Sequence, residues 1–95
     1  MSVIRVDNTA EYHLARSLAE YQMARYRDSI ASAQRAIALR PGYAEAWNNV
    51  AAGHIALKEF EPGIAAGEEA LKYNPSLQIA RNNVAYARQQ LQARK

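Results

Sequence analysis

Apolar residues recur along this chain at helical spacing, in five stretches separated by short polar or proline-containing breaks. Ile30, Ala33, Ala36 and Ile37 fall on one face of a helix that follows a turn at Ala24 and Arg25 and reaches about Arg40. Pro41 and Gly42 stop it, since proline cannot donate the next backbone bond and glycine tolerates a reversed dihedral. Before it, a first helix runs to about Met23. It is opened by a capping box in which Asn8 accepts from the first free amides and Glu11 reaches back. Trp47, Val50, Ala51, His54 and Leu57 recur at three- and four-residue spacing and predict a third helix over roughly 43–57. In the fourth, Pro62 sits just inside the start, where its missing amide costs little, and Asn74 and Pro75 close it after Tyr73. The last helix covers about 77–93, with Ile79, Val84, Ala87 and Leu91 toward its neighbours.

The five stretches are not independent. Shifted against itself by 34 residues, the chain carries Met23 onto Leu57, Tyr26 onto Phe60, Ile30 onto Ile64, Ala36 onto Ala70, Ile37 onto Leu71 and Pro41 onto Pro75. The same shift carries Ala46, Asn48, Asn49, Val50 and Ala51 onto Ala80, Asn82, Asn83, Val84 and Ala85. A fixed offset with apolar and proline positions in phase marks a stacked repeat, in which no unit buries its own hydrophobic face alone. The chain divides into a tail over 1–8 and one domain over 9–95: a first repeat at 10–43, a second at 44–77, and a capping helix at 78–95. Gly63 and Gly67 inside the fourth helix each weaken it by about 1 kcal/mol relative to Ala. They make sense only where a neighbouring helix approaches closely.

Residues 44–75, AEAWNNVAAGHIALKEFEPGIAAGEEALKYNP, resemble the tetratricopeptide repeat (TPR), a helix-turn-helix unit of 34 residues. Trp47, Val50, Ala51 and His54 occupy the first-helix packing positions, whose usual occupants are Trp, Leu, Gly and Tyr. Gly63, Ala70 and Pro75 match the small second-helix residues and the closing proline, while Gly67 stands where a larger residue is usual. The first repeat is looser, with His13 in place of the Trp and Arg16 in place of the Leu. The resemblance implies an all-α, right-handed α-α superhelix, a TPR-like solenoid of two hairpins and a capping helix. Its concave face would be built by helices one, three and five.

Composition narrows the function classes. Hydrophobic residues are 49%, many of them Ala, so packing runs through small side chains. With no cysteine, neither a disulfide nor a thiolate metal site is possible. No run of 18 apolar residues exists and residues 1–20 lack a signal-peptide core, so membrane insertion is not expected and a cytoplasmic setting is the default. The net charge of +3 is segregated: six Arg against four acids up to Pro41, two Lys against five Glu over 42–75, and three Arg and one Lys against none over 76–95. An acidic middle interrupts the basic stripe that a nucleic-acid groove needs, so nucleic acid is not the expected partner. His13 and His54 fall at packing positions far apart in sequence, and read as satisfied packing groups. Glu68 and Glu69 diverge on their helix, and Glu59 and Glu61 flank a turn. No spacing here suits a metal or cofactor or an acid/base pair, and no enzyme activity is expected of this piece.

The asparagines carry the functional signal. Asn48-Asn49 and Asn82-Asn83 recur one period apart, although Asn is a mediocre helix former. An amide donates and accepts together, which suits contact with the backbone of an extended peptide. In the resembling family a ladder of such asparagines lines the groove. Asn49 and Asn83 match its rungs, and Ala15 breaks it in the first repeat. The resemblance therefore implies a protein-protein interaction module with Asn48, Asn49, Asn82 and Asn83 in or beside the groove. Leu14, Leu18, Glu45, Ala52, Ile79 and Tyr86 would set side-chain preference. Chaperone-tail adapters of the family grip a terminal carboxylate with Lys and Asn on the first helix, Asn on the third and a cation on the fifth. This chain has Glu11, Ala15, Asn49, Ile79 and Asn83 there, and only Asn49 agrees. The alternative is a structural or oligomerising segment, monomeric or weakly dimeric. Its repeats resemble those appended to enzymes such as O-linked sugar transferases.

Overall fold

The computed structural model describes residues 9–94, and among them there are five helices and no strand. They are α1 (Ala10–Gln22), α2 (Tyr26–Leu39), α3 (Ala44–Ala56), α4 (Phe60–Tyr73) and α5 (Gln78–Ala93). The expected tail and the Asn8 half of the capping box lie outside the described residues. The N-cap of α1 is Thr9, whose hydroxyl accepts from the Tyr12 amide at 3.0 Å. Among the described residues, the Glu11 carboxylate takes a hydrogen bond from Arg40 at the end of α2. Met23, Arg40 and Leu57 are C-caps, one step beyond the helices they were expected to end.

The period seen in the sequence is built into the turns. Ala24 and Lys58, 34 positions apart, both adopt positive φ, 61° and 63°. Behind each, the chain closes on the helix with the same paired bonds. Ala24 N donates to Tyr21 O at 2.9 Å and Arg25 N to Glu20 O at 2.8 Å; Lys58 N donates to Ile55 O and Glu59 N to His54 O at the same distances. This is the left-handed closure that ends many helices, here made by residues other than glycine at a cost of about 1–2 kcal/mol each.

Helices α1 and α2 form one hairpin and α3 and α4 a second; α2 packs on α3, α4 packs on α5, and α1, α3 and α5 touch in turn. Ile30, Ala33, Val50, Ala51 and Ala66 form the main core, with Ile37, Trp47 and Leu57 against it. A second cluster of Ala10, Ala36 and Ala46 is covered by Leu14, Ile37 and Tyr43. With so much alanine, the helices lie close. A Cβ on Gly63 would stand 2.7 Å from Ile55 Cγ1, and one on Gly67 would collide with Val84 Cγ2. Val84 thus fills the space that a larger residue at position 67 would otherwise take.

The first hairpin closes with polar groups instead. Ser17 and Ser29, both fully buried, each donate to the other's backbone carbonyl at 2.8 Å, and Ser32 donates to Glu20 at 2.6 Å. One period on, those four positions are Ala51, Gly63, Ala66 and His54. The junctions between hairpins also repeat. Trp47 Nε1 donates to Pro41 O at 2.9 Å, and Arg81 Nε donates to Pro75 O at 2.9 Å. His54 Nδ1 lies 2.9 Å from Glu59 Oε1 and is satisfied as expected. His13 is not: its ring is buried, and Nδ1 has no hydrogen-bond partner among the described residues.

Candidate functional site

Residues one period apart occupy equivalent faces, so 11, 15 and 18 on α1 continue as 45, 49 and 52 on α3 and as 79, 83 and 86 on α5. Since α3 touches both α1 and α5, these positions make one strip across the inner helices. Between α1 and α3 the strip is hollowed into a recess of about 410 Å³ lined by Glu11, Leu14, Ala15, Leu18, Tyr43, Glu45 and Asn49. Four of the residues expected in the groove, Leu14, Leu18, Glu45 and Asn49, therefore meet in one recess. On α5, Ile79 is 55% exposed and Tyr86 50% exposed, and the Tyr86 ring rests edge-on against Phe60 at 6.3 Å. They extend the strip without lining the recess.

The asparagines divide. Asn48 is buried at 6% exposure, so it is not a groove surface. Its Oδ1 accepts from Asn83 Nδ2 at 2.9 Å, a bond that ties α5 to α3. Asn49 faces the recess, and its amide reaches Ser17 on α1 at 3.4 Å, a long and weak bond. Asn82 is exposed and accepts from Gln78 one turn earlier at 2.9 Å. Of the two asparagine pairs, the second member of each thus lies on the strip, while the first goes to the core in α3 and to solvent in α5.

Charge around the recess is uneven. Arg40 donates to Glu11, and its guanidinium lies 4.3 Å from the centre of the Tyr43 ring. That bond holds the Glu11 carboxyl below the usual carboxylate range. The remaining lining acid, Glu45, is exposed and forms no ion pair among the described residues. The basic residues of α5 and its C-cap look elsewhere. Arg81 caps Pro75, Arg88 bonds Glu68, and Arg94 lies over Phe60. Tyr43 was not expected in the groove; its position just before α3, opposite Leu14, is the signal that the repeat pattern alone does not supply.

A larger recess, about 500 Å³, lies between α4 and α5 around Glu61, Arg88 and Leu91 and contains none of the expected groove residues. Among the described residues no group of three or more His, Asp or Glu could hold a metal, and no helix is long and apolar enough to cross a membrane.

No family model matches the sequence, and no curated protein matches it. Solved structures do. The first TPR of Spaghetti (RPAP3), bound to the HSP90 peptide SRMEEVD, is similar with a TM-score of 0.83 at 22% identity, over 86% of this chain and 65% of that one. MamA is similar with a TM-score of 0.80 at 24% identity, over 86% of this chain and 48% of that one. The chain spans less than two thirds of either neighbour. The likeness shows the fold, a TPR-like helical solenoid.

Proposed function

We propose that this chain is a protein-interaction module whose partner, an extended peptide or a partner helix, lies along the strip formed by α1, α3 and α5. The observation that carries the reading is the coincidence of the recess with exposed apolar side chains. Leu18, Ile79 and Tyr86 are each half exposed or more and share one register with the lining residues. A row of apolar groups beside a hollow with a few polar anchors is what a docking surface offers. Asn49 sits in the middle of it, and its side-chain oxygen can accept from a peptide amide; Asn83 keeps its own oxygen for the same use. The Spaghetti neighbour, with its bound peptide, supports the idea that a stack of this shape holds an extended ligand. That ligand is acidic, and Glu45, the lining carboxylate with no ion pair among the described residues, opposes one like it.

Panning a displayed library of random peptides against the chain tests the reading. Ala15→Trp fills the recess from an exposed position without adding charge. The selected peptides are expected to lose binding to this variant while its melting temperature stays at the parent value. Peptides that bind both forms equally would place the interaction elsewhere and sink the groove reading.

A further inference from the structure

The period that builds the fold also exposes a difference between the two ends of the recess. In the first repeat, Glu11 in the opening turn of α1 receives the guanidinium of Arg40 from the end of α2, stacked over Tyr43. One period later the same three places hold Glu45, Asn74 and Leu77. Asn74 has no charge to give, and its side-chain oxygen is already engaged, accepting from the Ser76 amide at 3.2 Å and the Ser76 hydroxyl at 2.9 Å. Glu45 therefore lines the recess as the counterpart of Glu11 without the counterpart of Arg40.

We infer that Glu45 receives a basic side chain from the partner, so that the occupant of the groove is a peptide carrying Arg or Lys beside an apolar residue. The inference rests on the groove reading above and adds the chemistry of its ligand. Arg40 shows on this molecule how a guanidinium is received at such a place, by a carboxylate in the first turn of an inner helix. A ligand cation at Glu45 repeats that contact, and the apolar residue beside it reaches Leu14 and Leu18, which line the same recess. Charge complementarity selects this occupant over others. Although the chain is net positive, among the described residues no Lys or Arg lines the recess, and the basic residues of α5 and its C-cap are held on Pro75, Glu68 and Phe60. An acidic peptide would meet the Glu45 carboxylate, while Glu11 is held by Arg40 and no cation among the described lining residues offsets Glu45.

The same peptide library, panned on the 95-residue chain in low salt, is expected to return sequences enriched in Arg or Lys next to an apolar residue. Glu45→Gln should weaken their binding about fivefold, the size of a partly exposed ion pair. Asn74→Arg should do the same for the opposite reason, since it supplies from within the chain the cation that Arg40 supplies to Glu11. Both effects should shrink as added salt shortens the screening length. Thermal melts of the two variants report that they remain folded. The SRMEEVD peptide serves as the acidic counter-probe and is expected to bind more weakly than the selected basic ones. The inference is overturned, and the groove reading kept, if the selected peptides lose binding to Ala15→Trp but show no basic enrichment. The same holds if they bind Glu45→Gln and Asn74→Arg as they bind the parent. Indifference to Ala15→Trp, or no enrichment at all, overturns both.

Discussion

At Gly67 two rules of thumb point in opposite directions. Alanine is the better helix former by about 1 kcal/mol, so Gly67→Ala in isolation would strengthen α4. Here the added methyl would collide with Val84 of α5, and overpacking of this kind costs about 1–3 kcal/mol. Gly67→Ala is therefore expected to lower the urea midpoint. Combining it with Val84→Ala should cost less than the sum of the two single changes, because each relieves the other; strict additivity would mean the two side chains do not share that space. The sequence makes Gly63 and Gly67 legible as close contacts, since a glycine inside a helix needs a reason. Gly53, where a Cβ would stand 2.5 Å from Ile30 Cγ1, is a further close contact that comparison of the repeats does not single out. Nor can periodicity tell which of two adjacent asparagines turns inward. A step of one residue rotates a side chain by about 100°, and that separates buried Asn48 from recess-lining Asn49.

Between elements, the best-defined electrostatic contact is a clasp at the start of α4. Arg27 of α2 donates to Glu59 at 2.9 Å, and His54 of α3 contacts the same carboxylate at 2.9 Å, so one residue links three helices. The Arg27 bond first, and the His54 bond second, lower the Glu59 pKa from 4.5 to about 2. A carboxylate whose folded pKa lies below its unfolded value stabilises the fold fully above the unfolded value, and the contribution disappears as pH falls through the folded one. The melting-temperature difference between the parent and Glu59→Gln is therefore expected to be constant above about pH 5 and to close between 4.5 and 2. A gap unchanged across that interval would show that the clasp carries no linked stability. None of this is visible in the sequence, where Arg27 and Glu59 are 32 positions apart and only the fold brings them together. The helices themselves were legible to within a residue or so at most ends, because caps, prolines and apolar spacing agree locally. The polar closure of the first hairpin was not. Ser17, Ser29 and Ser32 look like ordinary small residues until their mutual bonds are seen.

Taken as a whole, the molecule is a short stack in which each helix is held by its neighbours, so stability is expected to vary along it instead of being shared evenly. Helix α3 sits between α1, α2, α4 and α5, whereas among the described helices α5 contacts α3 and α4 alone. Among the contacts that secure α5 are Val84 against Gly67, the Tyr86 ring against Phe60, the Arg88 bond to Glu68 and the Asn83 bond to buried Asn48. Removing the last of these leaves a buried amide without its partner, at a cost of about 1–3 kcal/mol. Asn83→Ala should therefore destabilise the chain, which a groove residue facing only solvent would not do. Hydrogen exchange separates the two descriptions. In the parent, α5 amides should exchange faster than those of α3, and in Asn83→Ala the acceleration should concentrate in α5, with α1 and α2 little changed. Uniform acceleration across all five helices would mean that the stack opens as one unit, and that the Asn48–Asn83 bond supports the whole molecule and not the attachment of its last helix.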